Sequence, residues 1–430
     1  MPNELDASIA AEQIRCGKLT SEALVGACLA RIDARERDVG AWQYLAREQA
    51  LAQARESDRG APRGPLAGVP IAVKDLFDTF DMPTGLGSPI YVDRRPGWDA
   101  ACVAAARAAG AIVLGKTVTT EFASFEPGKT RNPHDPARTP GGSSSGSAAA
   151  VADCMAPLAF GTQTAASITR PAAFCGVAGY KATFGELALS GVRPLAHSLD
   201  TLGIFARSIA DIALMRSVVL GESPRPLVGP ASPPRLGLCR TPMWPAAEAP
   251  ARAALDLAVE RVRAAGAIVD EIELPAQFAA LTQAQQTIMT YETARNYVFE
   301  ATRRAERLSA SFRAICEAGL RIDRAAYLAA RRQVAEAMRM LTDAMQGCAA
   351  LITPATRGEA PPLEGGTGDP VMSRMWTALG TPTLALPVPR AAGALPVAVQ
   401  LVADRHADPL LLEVGEWVMR ALGEGARRRA

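Results

Sequence analysis

Ala-rich segments of helical length alternate along this chain with apolar runs only a few residues long. Neither an all-helical nor an all-β fold accommodates that alternation, because the short runs suit buried strands and the Ala-rich stretches are amphipathic at helical spacing. Residues 20–35 (TSEALVGACLARIDAR) predict a helix with Thr20 or Ser21 as N-cap, and 99–109 predicts another, ended by Gly110. Residues 147–155 and 249–265 are further predicted helices. Strands are expected at Val69–Val73, Ile112–Leu114, Leu158–Phe160, Gly176–Tyr180, Gly203–Ala206, Arg235–Cys239 and Ile268–Leu274. This order predicts an α/β fold with a mixed, twisted β-sheet covered by helices.

Length alone suggests two or three domains for 430 residues, but no repeat or clean linker divides the chain, so a single large domain over 1–430 is expected. Residues 124–142 and 356–370 read as long loops, the second resembling a flexible cover; such loops are more often functional than incidental. Net charge is +2, and no basic run is interleaved with aromatics, which argues against nucleic-acid binding. The run Arg427–Arg429 is too short to change that and reads as a solvated terminus. Met1–Leu19 carries charges throughout, unlike a signal peptide, and no apolar stretch approaches the roughly eighteen residues of a membrane span. The eight cysteines include no CxxC pair, which predicts buried free thiols in a cytoplasmic protein and neither a zinc site nor a disulfide framework.

The densest chemical signal is Pro140-Gly141-Gly142-Ser143-Ser144-Ser145-Gly146-Ser147, which runs straight into an Ala-rich helix. A second small-residue loop, Gly161 to Ser167, follows shortly after. By composition alone the first could be a flexible linker or an anion cradle at a helix start, although no Lys precedes its final Ser as a Walker loop requires. A serine needs a base before it is nucleophilic. The histidines are His134, His197 and His406, and a Ser-His-Asp arrangement around His406 with Asp404 or Asp408 stays open, although no nucleophile elbow is recognised. Lysine is the other candidate base. Only five of the 46 basic residues are lysines, so Arg supplies the generic surface charge and a lysine in an apolar run asks for another explanation. Lys74 ends the run Pro70–Val73 and precedes Asp75, so a base and a structural Lys–Asp contact are both open.

Three blocks then converge. Gly68–Asp75, Gly141–Ser147 and Gly161–Gly179, with Phe174-Cys175-Gly176, together resemble the amidase signature family in order and spacing. The likeness extends from about residue 20 to the strand Gln400–Val402 and the last helix, with 62–215 as the signature core. Its closest pattern is that of the malonamidases, which share the triple serine, Gln163 in place of an aspartate, Arg170–Ala173, Tyr291-Glu292, Gly368–Pro370 and Trp376. The resemblance implies Ser167 as nucleophile, Ser143 as a bridging serine after a cis peptide bond, and Lys74 as base. It also implies an oxyanion hole built from the N–H groups of Thr164, Ala165, Ala166 and Ser167, an acyl-enzyme ester, and no metal or organic cofactor. To serve, Lys74 must be neutral near pH 7, against an ordinary pKa of about 10.4. Arg170 is expected to clamp a substrate carboxylate, as in malonamate, with a buried structural ion pair as the alternative. Ala165-Ala166 stands where the family usually has Gly-Gly, and both alanines are expected at negative φ or with one strained. The expected partner is a small-molecule amide, with a homodimer implied by the malonamidase likeness. Alternatives are the amidase subunit of a tRNA-dependent amidotransferase, a hydrolase of ureas, carbamates or aryl amides, and a non-catalytic anion binder.

Overall fold

Thr20 Oγ1 accepts the Ala23 N–H at 3.1 Å and caps the helix Ser21–Val39, which Gly40 closes in the left-handed region at φ 61°. The computed structural model describes residues 1–423, and the Arg427–Arg429 run lies outside the described residues. The other predicted helices form with shifted ends, as Ala101–Ala108, Ser145–Ala152 and Ala249–Ala264. The second of these stops short of residue 155 because Cys154 turns to φ 55°.

Eleven strands build one sheet: β1 (Trp42–Leu45), β2 (Pro70–Lys74), β3 (Ile112–Thr117), β4 (Leu158–Gln163), β5 (Ala178–Lys181), β6 (Thr201–Ala206), β7 (Arg235–Leu238), β8 (Ile268–Glu271), β9 (Ala350–Pro354), β10 (Thr383–Pro387) and β11 (Ala398–Val402). Their order is β1-β3-β2-β4-β6-β5-β10-β11-β9-β7-β8. β2 runs parallel to both β3 and β4, whereas β4, β6, β5, β10, β11 and β9 pair antiparallel in turn. The result is the expected mixed α/β sheet in one domain, covered by helices. A second helical block, Leu281–Asn296, Ala310–Arg321 and Arg324–Ala344, packs together beyond the strands and was not foreseen.

Two features of this sheet create the site. Every residue of β2, β3 and β4 is buried, because both faces are covered, so a side chain cannot reach water by alternation along the strand. Lys74, the last residue of β2, is therefore buried whichever face it takes. Because β2 and β4 are parallel, with Val73 opposite Phe160, their carboxyl ends share one edge, where α/β sheets characteristically open toward ligands. Among the described residues, no helix is long and apolar enough to cross a membrane. The cysteines are all free; Cys16 is exposed and Cys154 half-buried, which departs from the expectation of uniform burial.

Candidate active site

Lys74 Nζ lies 2.8 Å from Ser143 Oγ and 2.9 Å from Thr162 Oγ1 and is fully buried. Among the described residues it forms no ion pair with its neighbour Asp75, which instead pairs with Lys116 at 3.2 Å, so the structural Lys74–Asp75 alternative falls away. Burial drives the Lys74 pKa well below the ordinary lysine value, and the nearby Asp200 carboxylate opposes that fall. Both atoms that receive Lys74 are hydroxyls, which can donate to a neutral amine as well as accept from an ammonium. The surroundings therefore tolerate either protonation state and favour the neutral one.

Ser143 is held by its loop. The Gly142–Ser143 peptide is cis, as the resemblance implies. The helix Ser145–Ala152 that follows presses against β3 through Gly146, where a Cβ would lie 2.2 Å from Ala41 O and 2.5 Å from Val118 N. Only glycine permits that approach. The run Gly142–Gly146 does carry the spacing of a nucleophile elbow centred on Ser144, contrary to the expectation that the chain has none. Ser144 Oγ, however, is buried and donates to Thr162 O at 3.2 Å.

The loop after β4 is tied by its carbonyls. Gln285 Nε2 donates to Thr164 O at 2.7 Å, Thr377 Oγ1 to Ala165 O at 2.7 Å, and the Arg170 N–H to Ala166 O at 3.0 Å. In a trans peptide the next N–H points opposite the carbonyl, so these bonds aim the N–H groups of Ala165, Ala166 and Ser167 the other way. No protein acceptor takes those three N–H groups among the described residues. Gln163 closes the loop from inside, with Oε1 accepting Ile168 N–H at 2.8 Å and Thr169 N–H at 3.1 Å and Nε2 donating to Thr377 Oγ1 at 2.9 Å. Neither Ala165 nor Ala166 has positive φ, so the two methyl groups sit without backbone strain. Ser167 is 6% exposed, and its Oγ makes no hydrogen bond among the described residues. The expected Ser167–Ser143 leg of the relay is thus not a formed bond here; such contacts often tighten only around substrate.

The sequence matches the Amidase family over residues 23–412. The chain belongs to the amidase family. A solved amidase structure superposes with TM-score 0.90 at 33% identity, covering 97% of this chain and all of that one. A glutamyl-tRNA(Gln) amidotransferase subunit from an Anaeromyxobacter species is 32% identical over 98% of this chain and 96% of its own length. The corresponding subunit from Chloroflexus aurantiacus is 37% identical over 64% of this chain, and the chain spans only 61% of that relative's length.

Within this amidase, the expectation that Arg170 clamps a substrate carboxylate requires revision. Its guanidinium is buried and donates to Gly142 O at 2.6 Å, to Thr367 Oγ1 at 3.1 Å and to Gly368 O. Nor is it a buried ion pair, since its acceptors are backbone carbonyls and a hydroxyl. Burial and nearby Arg374 pull its pKa down to about 9, so it remains a cation at neutral pH. The amidase uses Arg170 to hold the carbonyl that precedes Ser143, and the loop 356–370 contributes to that clasp through Thr367 and Gly368. No histidine supports a triad: His134 meets Cys175 O at 2.9 Å, His197 sits 3.4 Å from Glu292, and His406 offers its backbone N–H to Thr183.

Thr162, Asp200, Gln285, Thr377 and Arg374 were missed as site residues. Asp200, whose pKa burial raises to about 7, accepts from Thr164 Oγ1 at 2.5 Å and from the N–H groups of Leu195 and Ala196. A cavity of about 190 Å³ opens beside it, lined by Thr162, Thr164, Arg193, Leu195 and His197 among others. Thr162 could have been found, because it lies inside the quoted Gly161–Ser167 loop. Gln285 and Thr377 act on carbonyls far away in sequence, Arg374 acts on Gln285, and Asp200 sits in a local turn with no motif around it.

Proposed function

We propose that this amidase hydrolyses the C–N bond of small amides through an ester on Ser167. The observation that carries the reading is the buried Lys74, bonded to Ser143 at 2.8 Å, with three unclaimed N–H groups on the neighbouring loop. Ser167 Oγ attacks the carbonyl carbon as its proton passes to Ser143, whose own proton passes to Lys74 Nζ. The N–H groups of Ala165, Ala166 and Ser167, with Thr164 at the loop's head, take the developing oxyanion; one such donor typically contributes about a hundredfold or more. The C–N bond then breaks, and the departing amine takes its proton from Ser143, which Lys74 resupplies. Water, deprotonated by the same pair, releases the acid from Ser167. No step calls for a metal or organic cofactor. With Arg170 committed to the protein, a preference for malonamate is not carried forward.

A second reading is favoured by the amidotransferase subunits that align along nearly the whole chain. In that reading the same chemistry releases ammonia for a glutamyl-tRNA held with partner chains. The charge argument against nucleic acid does not reach this case, because it concerns only a basic surface on this chain. Purified alone, the protein is expected to release ammonia or amine from simple amides. Release from glutamine only on adding partner subunits and tRNA would establish the second reading instead.

A further inference from the structure

The first peptide plane of the proposed oxyanion loop is set from outside the signature blocks. Gln285, in the middle of the helix Leu281–Asn296 and fully buried, donates Nε2 to Thr164 O at 2.7 Å. Its Oε1 accepts from Arg374 Nη1, on the helix Val371–Ala378. The amide cannot be turned over: Arg374 has only donors to offer and Thr164 O only accepts, so the oxygen must face Arg374 and the nitrogen Thr164 O, with Met289 Sδ at 3.8 Å as a further weak acceptor.

Arg374 is itself buried at 8% exposure, and no carboxylate is hydrogen-bonded to it among the described residues. The opposing charge that acts on it is that of Asp369, which lies 3.4 Å from Arg357, while Arg170 adds a like charge nearby. A cation without a bonded anion polarises whatever it does touch, here the Gln285 carbonyl, and chained hydrogen bonds of this kind strengthen one another. The polarised amide is a better donor to Thr164 O. Holding that carbonyl aims the Ala165 N–H in the opposite direction, where no protein acceptor takes it among the described residues.

We infer that Arg374 and Gln285 are positioning residues, a two-step relay that orients the first donor of the oxyanion hole. The inference rests on the Ser167 reading above, since a hole matters only if an oxyanion forms. Neither residue touches substrate, and both act through the Thr164–Ala165 peptide.

The test compares kcat, KM and inhibition by phenylboronic acid, which forms a tetrahedral adduct on a nucleophilic serine. Gln285→Leu should lower kcat about 10- to 100-fold, somewhat less than outright loss of a donor, with KM changed little. The inhibition constant should weaken by a similar factor. Because Gln285→Leu leaves Arg374 buried without a partner, Gln285→Glu is the companion variant. It keeps the volume and a partner for Arg374 but sets a carboxylate oxygen against Thr164 O, and should show the same parallel losses while remaining folded. Arg374→Lys should retain more kcat than Arg374→Met. Variants that melt normally and bind the boronic acid as tightly as the parent would overturn the relay, as would losses confined to KM. Failure of the underlying reading looks different: the parent protein would then not be inhibited, or Ser167→Ala would keep its turnover.

Discussion

On the proposed reading Lys74 is the base and acts only while uncharged, so its neighbours set the pH dependence of turnover. Burial lowers its pKa, and the proposed mechanism uses the neutral form; kcat/KM should therefore rise with pH along a limb lying below the ordinary lysine range. Asp200 opposes that fall when ionised, which its own pKa of about 7 confines to neutral and alkaline pH. Asp200→Asn should accordingly move the limb to lower pH wherever it lies above about 7, and a limb unmoved there would remove Asp200 from the tuning of Lys74. Lys74→Arg should be nearly as inactive as Lys74→Met, because guanidinium does not deprotonate in proteins; near-normal kinetics would show that only charge is needed. Arg170→Ala should depress turnover of acidic and neutral amides alike, since it frees the Gly142 carbonyl beside Ser143. Selective loss on acids would restore the clamp. Lys74, Ser143 and Ser167 stood out as candidates because rare lysines and dense small-residue loops contrast with an Arg- and Ala-rich background, but their proposed roles came from the family resemblance. Gln285, Thr377 and Arg374 did not stand out, since each acts on a carbonyl or amide distant in sequence, and nothing in their own surroundings marks them.

The helix Ser145–Ala152 carries Ser143 at its head only because Gly146 lets it approach β3. Gly146→Ala drives a methyl into backbone atoms that cannot rotate away, and overpacking of that kind typically costs about 1–3 kcal/mol. Denaturant unfolding should show at least that loss, along with reduced activity; a stability change near zero would mean the helix is free to shift. The loop after β4 makes the opposite prediction. Its carbonyl ties are independent of the side chains at 165 and 166, so Ala165→Gly with Ala166→Gly should keep the reaction and change which acyl groups fit. A gain of several orders of magnitude on every amide would instead mean that the native loop is misaligned. The strands next to these elements were foreseen from β-branched runs, although their ends moved by a few residues. Strands β9 and β10 (ALITP and TLALP) were not, because the three consecutive apolar residues within each strand are too short a run to tell strand from helix until their antiparallel neighbour β11 is known. Between Leu281 and Ala344 the sequence analysis singles out only Tyr291-Glu292 and predicts no helix, yet these helices supply Gln285.

At the scale of the molecule, the alternation of helix and strand predicted the mixed sheet but not its order, since β2, β3 and β4 become neighbours only through parallel crossovers that no local pattern encodes. That order brings the end of β2 beside the end of β4, and so Lys74 beside the two serine loops. The proposed amide-bond chemistry rests on this arrangement, and its two readings, free hydrolase and amidotransferase subunit, share it and are separated by partners. What both require is an ester on one serine. The most direct test is to mix the purified protein with an excess of a slowly hydrolysed amide, quench in acid and localise the added acyl mass by fragmentation. The account predicts one acyl group, on Ser167, absent from Ser167→Ala and accumulating more slowly in Lys74→Met. An adduct on Ser143 or Ser144, or turnover by Ser167→Ala above about a hundredth of the parent rate, would contradict it.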